Sequence, residues 1–347
     1  MNPAGMVSSV AKASPRWCAP DAVAAVKLQR GCESESSEDL RTLLFPTKST
    51  DGVASPVTMI NVGANKGYEV VEFLERWAPE RGVTDRAWYY MIKQYAASIK
   101  SKHLAWSAPG ACKHNHKKKP RWQDQLRTSL PVRVHAFELN PRTAAALDFL
   151  VRNASLSDIV TVHQKPVSAE VQLVCTSNDL AGSERSRIHG ARKRACTMQN
   201  STTIDRFLQS EGIAEALLVE IDTEGHDAFV LAGMREALRA HRIRIVQFEY
   251  GGMWPAPSNA LKGTDGTVRA TLDATVRWMW EEAGYFCFFR DPLMPISPPC
   301  WSQEFEVRKW SNVLCAHRAK DLEVLGNASA RGYTRRTRKR SKSNSVW

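Results

Sequence analysis

The chain holds 347 residues, 43% of them hydrophobic, with a formal net charge of +12. That is enough apolar material for one large core or two modest ones, and no run approaches the ~20 apolar residues a membrane-spanning helix requires. The eight cysteines include no Cys-x-x-Cys pair, which argues against a zinc ribbon. Several lie in apolar runs such as Phe286-Cys287-Phe288 and read as buried, reduced thiols of an intracellular protein. Three Asn-x-Ser/Thr sequons, starting at Asn153, Asn200 and Asn327, read as chance matches, since no secretory signal is evident.

The charge is concentrated. Lys93 to Arg121 carries eight basic residues and no acid, Arg331 to Lys342 carries seven more, and the remainder is slightly acidic. The basic character therefore belongs to attachments and not to the body of the fold. Residues 1–50, rich in Ser, Ala and Pro with an acidic patch from Glu33 to Asp39, predict a disordered lead. The expected location is cytoplasmic, with organelle or nuclear targeting as the alternative.

The main domain is expected over residues 51–325. It opens on an apolar strand, Val57 to Ile60, that runs into Asn61-Val62-Gly63-Ala64-Asn65-Lys66-Gly67 and then a helix, Tyr68 to Trp77. Small residues at a strand-to-helix turn let the backbone approach a bound group, and the new helix offers unpaired N–H donors there. A basic, aromatic insertion, 78–130, follows. It is expected to fold outward, to recognise substrate and to be dispensable for folding. Its Cys112, His114 and His116, with His103, lack zinc-site spacing, and no metal is expected.

After the insertion comes a strand from Val132 that ends in Glu138, then Asn140-Pro141 and a helix. A carboxylate at a strand's carboxyl end can accept both hydroxyls of a ribose. A loop region with Arg185, Arg187, Arg192, Lys193 and Arg194 precedes Thr203-Ile204-Asp205. Next come Leu217 to Gly225, a helix with Val230, Leu231, Met234 and Leu238 at core spacing, and a strand from Ile243 to Glu249. Strands alternating with helices predict an α/β, Rossmann-like, doubly wound and mostly parallel sheet, with the insertion after its first strand-helix unit. Residues 326–347 read as a basic, disordered tail.

From Met59 to Phe289 the chain resembles the FkbM-type S-adenosylmethionine-dependent methyltransferases. That family typically reads Asp-Val-Gly-Ala-Asn-x-Gly after a strand, Phe-Glu-x-Asn-Pro, Thr-Leu-Asp, and Lys-Ile-Asp-Val-Glu-Gly before a helix. The resemblance implies the class I methyltransferase architecture and S-adenosyl-L-methionine as cofactor. It also implies that Asn61, Gly63, Asn65, Gly67, Glu138 and Asp222 border the donor, with Asp222 and His226 as catalytic candidates. Three departures stand out: Asn61 where an Asp is usual, Glu220 where a Lys is usual, and His226 where a small residue is usual.

Methyl transfer from a sulfonium is an in-line displacement that chiefly needs alignment and exclusion of water. An alcohol acceptor also needs its proton taken up, which suits a carboxylate or an imidazole. The expected reaction is O-methylation of a hydroxyl on a small molecule, sugar or lipid headgroup. The alternative is an RNA- or polyanion-binding protein, or a nucleic-acid methyltransferase, that uses the basic insertion and tail on a scaffold with or without activity.

Overall fold

The computed structural model describes residues 18, 56–105, 131–177, 179–183, 188–189, 196–251, 253–254, 271–290, 293–306 and 311–330. Expectations for the rest of the N-terminal lead, the insertion beyond residue 105, the basic loop at Arg185 to Arg194 and the tail lie outside these residues.

The chain begins with β1 (Val57–Val62), α1 (Tyr68–Trp77), α2 (Asp85–Ser98) and the short α3 (Lys102–Ala105). Then come β2 (Val132–Glu138), α4 (Pro141–Asn153) and β3 (Val160–Gln164). A small antiparallel sheet is made by β4 (Leu173–Ser177), β5 (Ile188–His189) and β6 (Cys196–Asn200). The main sheet resumes through α5 (Ile204–Ser210), β7 (Ala216–Ile221), α6 (Asp227–Ala232), α7 (Arg235–Arg239) and β8 (Ile243–Tyr250). It ends with α8 (Leu272–Glu281), β9 (Phe286–Arg290), β10 (Leu293–Pro295), β11 (Ser311–Ala316) and α9 over 319–330.

Eight strands form the main sheet in the order β10-β9-β11-β8-β7-β1-β2-β3. From β8 through β3 all pairs are parallel, and β11 enters antiparallel between β8 and β9. This is the expected doubly wound α/β fold. The chain steps outward from β1 to β3 and then returns to the opposite side of β1 at β7, so the winding reverses between β1 and β7. In open α/β sheets such a reversal leaves a crevice at the carboxyl ends of the strands.

The inner strands are apolar almost throughout because helices cover both faces. On one face Ile60, Val62, Val219, Ile221, Val246 and Phe248 share a core with α5 to α8. On the other, Met59, Ile245, Phe288 and Leu314 pack with α1, α2 and Leu322 and Leu325 of α9. The stripe Val230, Leu231, Met234 and Leu238 is buried as its spacing predicts, although the helix breaks at Gly233. A Cβ there would lie 2.1 Å from the Ser168 carbonyl oxygen. The Thr-Ile-Asp segment acts as a staple. Thr203 caps α5 through the Arg206 N–H, and the Asp205 carboxylate accepts from the N–H groups of Glu236 and Ala237 at the start of α7.

Two sequence expectations are corrected. The first part of the insertion does not fold outward: α2 lies against α1, with Trp88 and Ile92 fully buried. The Trp88 indole donates to the Lys66 carbonyl at 2.7 Å, directly under the glycine turn. Hydrophobic spacing in a segment rich in aromatics and cations was masked by the exposed Arg86, Tyr90 and Lys93 on its outer face. The six described cysteines are not reduced thiols either. Cys287 and Cys315 stand opposite one another on the antiparallel pair β9 and β11 and form a disulfide. Further bonds join Cys175 to Cys196 and Cys18 to Cys300. Directly opposed antiparallel residues are close enough for such a bond, a pairing that strand order decides and sequence spacing does not.

Because Trp88 fills a closed space, Trp88→Ala should destabilise the protein by about 3–5 kcal/mol in denaturant unfolding. A loss below about 1 kcal/mol would return α2 to the status of an appendage. Peptide mapping without reductant should recover Cys287 and Cys315 in one cross-linked pair, whereas alkylation of both as free thiols would refute the pairing.

Candidate functional site

The glycine turn rests on the two neighbouring strands. The Gly63 and Ala64 N–H groups both donate to the Phe137 carbonyl of β2, and the Asp222 N–H donates to the Val62 carbonyl. Gly63 has φ 89°, and a Cβ on it would meet the Asp222 carbonyl oxygen at 1.8 Å, so no larger side chain fits. Asn65 and Gly67 also have positive φ, which turns the chain sharply into α1.

Glu138, at the end of β2, reaches this turn as its position predicts. Its buried carboxylate accepts from the Asn65 N–H at 2.9 Å and from the Asn140 N–H at 2.8 Å. Burial pushes its pKa up to about 7, against the opposing pull of the Asn140, Asn65 and Leu139 N–H groups. Asn140 adds its own cap to α4, accepting from Arg142 and Thr143. Asn61 is fully buried at the base of the turn, and neither polar atom of its side chain has a hydrogen-bond partner among the described residues. The Asn65 side-chain oxygen is unpartnered as well.

Asp222 stands exposed just past the end of β7. It meets Glu249 of β8, to which it is joined by a side-chain hydrogen bond. Burial, then the charges of Asp222 and Asp227, hold the Glu249 carboxyl far above the usual carboxylate range. The two groups therefore share a proton near neutrality. Asp227 lies fully buried beneath them. It accepts from the Thr223 hydroxyl and the Gly225 N–H with one oxygen and from the Glu249 N–H with the other, and burial followed by the Asp222 charge raises it to about 8. Only the side-by-side placement of β7 and β8 brings Asp222, Asp227 and Glu249 together.

His226 sits at the N-cap position of α6 without capping it through its side chain. Its Nε2 lies 3.0 Å from the Ser168 hydroxyl, its ring stacks on Phe229, and burial lowers its pKa to about 4. It is thus a neutral imidazole with one nitrogen already engaged. Trp254 is a core residue: its indole donates to the Glu249 carbonyl and it packs on Phe248 and Tyr250.

A glycine turn, a strand-end carboxylate and a carboxyl pair thus lie together at the reversal of a doubly wound sheet of the class I methyltransferase kind. Residues 126–287 match the family model described as the methyltransferase FkbM domain. Over those residues the chain is similar to the S-adenosylmethionine-dependent methyltransferases of the FkbM type. The match starts beyond the glycine turn, and the pairing of β1 with β2 and β7 brings that turn into the matched domain. No curated protein matches. Similar solved structures include the human methyltransferase 10 domain containing protein, at 7% identity over 81% of this chain and 79% of that one, with a TM-score of 0.32. An O-methyltransferase from Bacillus cereus in complex with SAH is 11% identical over 90% and 91% of the two chains, with a TM-score of 0.31. The precorrin-6y C5,15-methyltransferase from Geobacter metallireducens is 8% identical over 84% and 92%, with a TM-score of 0.29. Likeness this loose adds nothing to the sheet order itself.

Proposed function

We propose that this chain methylates a hydroxyl oxygen on a small molecule, sugar or lipid headgroup, using S-adenosyl-L-methionine. The observation that carries the reading is the Asp222–Glu249 pair, a shared-proton carboxyl pair at the carboxyl ends of adjacent strands beside the glycine turn. The buried Asn61, with both side-chain polar atoms unpartnered, the unpartnered side-chain oxygen of the half-buried Asn65, and the Gly63 cradle are what a bound donor needs from this side of the site. When bound, the donor supplies an electrophilic methyl group. The glycine turn would line it by close backbone approach at Gly63, Asn65 and Gly67, and Glu138 would accept its ribose hydroxyls.

The acceptor hydroxyl loses its proton as it attacks. Asp222, the exposed member of the pair, takes that proton, and its hydrogen bond with Glu249 holds it in place. His226 acts as a positioning residue, since a group with a pKa near 4 is a weak base and its Nε2 already meets Ser168. Among the described residues no helix is long and apolar enough to cross a membrane, and the three described disulfides weigh toward an oxidising compartment over the cytoplasm.

Glu138→Ala should weaken donor binding by about 1.5–3 kcal/mol in calorimetry. The Glu138 pKa near 7 leaves the carboxyl protonated at lower pH, and hydroxyl donors favour the charged form. Affinity should therefore fall about tenfold per pH unit below 7 in the native protein and lose that dependence in Glu138→Gln. A flat pH profile in the native protein would remove Glu138 from the donor site.

Asp222→Asn and Glu249→Gln should each lower methyl transfer by ~10²-fold or more, the usual contribution of a general base, whereas His226→Gln should cost less. The acceptor class is tested by offering labelled donor to small-molecule, lipid, RNA and protein pools. Label confined to RNA would overturn the reading in favour of a nucleic-acid methyltransferase.

A further inference from the structure

Each cysteine among the described residues is in a disulfide: Cys18 with Cys300, Cys175 with Cys196 and Cys287 with Cys315. Bonds of this kind form and persist in oxidising compartments and are rare in reducing ones. The secretory compartment is also where asparagine-linked glycans are attached to Asn-x-Ser/Thr on surface segments. Chance is a sufficient account of the three sequons only while the cysteines are taken as reduced.

Folding treats the three differently. In Asn200-Ser201-Thr202 the asparagine is exposed, but Thr202 is only 6% exposed and its hydroxyl donates to the Thr203 carbonyl. Asn327-Ala328-Ser329 lies wholly inside α9, where residues two apart do not face each other, and Ser329 is 8% exposed. In Asn153-Ala154-Ser155 both ends stay open. Asn153 is the last residue of α4, Ala154 is its C-cap, and Ser155 turns the chain with a φ of 55°. The Asn153 and Ser155 side chains are both exposed.

The surroundings suit a bulky, soluble attachment. Phe149, four residues earlier and so on the same face of α4, is 42% exposed while its ring stacks on Tyr95. A group on Asn153 would cover that ring. The start of α4 is tied to the site, since the N–H of its cap residue Asn140 donates to Glu138. From there the helix runs back along the sheet for 13 residues, about 20 Å at the usual rise. An attachment on Asn153 therefore stands at the far end of the sheet, clear of the glycine turn.

We propose that Asn153 is an N-glycosylation site, modified where an oligosaccharide is transferred from a lipid diphosphate donor. The Asn153 side-chain nitrogen bonds to the anomeric carbon of the sugar, and the bond from that carbon to the diphosphate oxygen breaks. The lipid diphosphate leaves with the electron pair, and the amide gives up one proton to a base of the transferase. The Ser155 hydroxyl completes the sequence that the transferase recognises. A sequon buried by folding is open only on the nascent chain, whereas this one remains available after the disulfides have closed. The site is independent of methyl transfer.

The test starts from the full-length protein purified from its own cells. Peptide N-glycosidase in heavy-oxygen water turns a glycosylated asparagine into labelled aspartate, and peptide mapping without reductant then locates the label. Label at Asn153 is expected, with Cys287 and Cys315 cross-linked in the same preparation. Produced in the same cells, N153Q and S155A should each lose the step of gel mobility that the enzyme removes from the native protein. S155A is the sharper variant, because it keeps the amide and removes only the hydroxyl. Unlabelled Asn153 in protein whose Cys287–Cys315 bond is present, or an S155A variant that keeps the mobility step, overturns the proposal. Free thiols at both Cys287 and Cys315 would remove the oxidising compartment, and the proposal falls with it.

Discussion

The site depends on one close approach, that of the Gly63 backbone to the Asp222 carbonyl. Because a Cβ at Gly63 would overlap that oxygen, the turn after β1 can lie flat against the end of β7 only if residue 63 is glycine. The same turn is tied to β2 by two N–H donors that share the Phe137 carbonyl. Three strand ends are thereby fixed to one another at the place where the sheet's winding reverses. Glu138, Asn61 and Asp222 then need no further device to converge, since each belongs to one of those strands or to its first residue beyond. Rigid strand ends are the kind of support that in-line chemistry needs, where misplacement by an ångström is costly.

That geometry forces carboxyl groups together, and the crowding sets their chemistry. Asp227 supports the loop after β7 by accepting from Thr223, Gly225 and the Glu249 N–H. It therefore cannot be removed from beneath Asp222 without loosening the loop. Its burial raises its own pKa and, through the shared field, that of Glu249. Like-charged groups held this close shift the balance toward keeping protons. Glu249 and Asp227 thereby hold their protons more tightly than exposed carboxyls do, and the nearby His226 is engaged by Ser168.

Much of the fold was legible because parallel strands covered on both faces are written as apolar runs and their helices as stripes. β1, α1, β2 and β8 lie where Val57 to Ile60, Tyr68 to Trp77, Val132 to Glu138 and Ile243 to Glu249 suggested. The convergence of Glu138 on the glycine turn was legible too, since the carboxyl-end rule does not depend on how many residues intervene. What could not be read was anything that depends on which strands become neighbours out of chain order. The Asp222–Glu249 pair, the Cys287–Cys315 bond and the buried polar row of Asn61, Glu220, Gln247 and Arg290 all cross between strands whose adjacency only the sheet order fixes. Trp88 escaped for a different reason. Its burial comes from the packing of α2 on α1 and the glycine turn, within a segment whose charge suggested exposure.

The motif departures show why a pattern of single positions misjudges a site of this kind. Taken one at a time, Asn61 lacks the negative charge that would face a cationic donor, and Glu220 puts a negative charge where the family motif carries a positive one. In the sheet the two are one unit, because parallel register sets them side by side on one face, and hydrogen bonds from Gln247 to Glu220 and from Arg290 to Gln247 extend the unit to β8 and β9. A ligand reads the potential in the crevice, which is a sum over the row and does not record which strand contributes each charge.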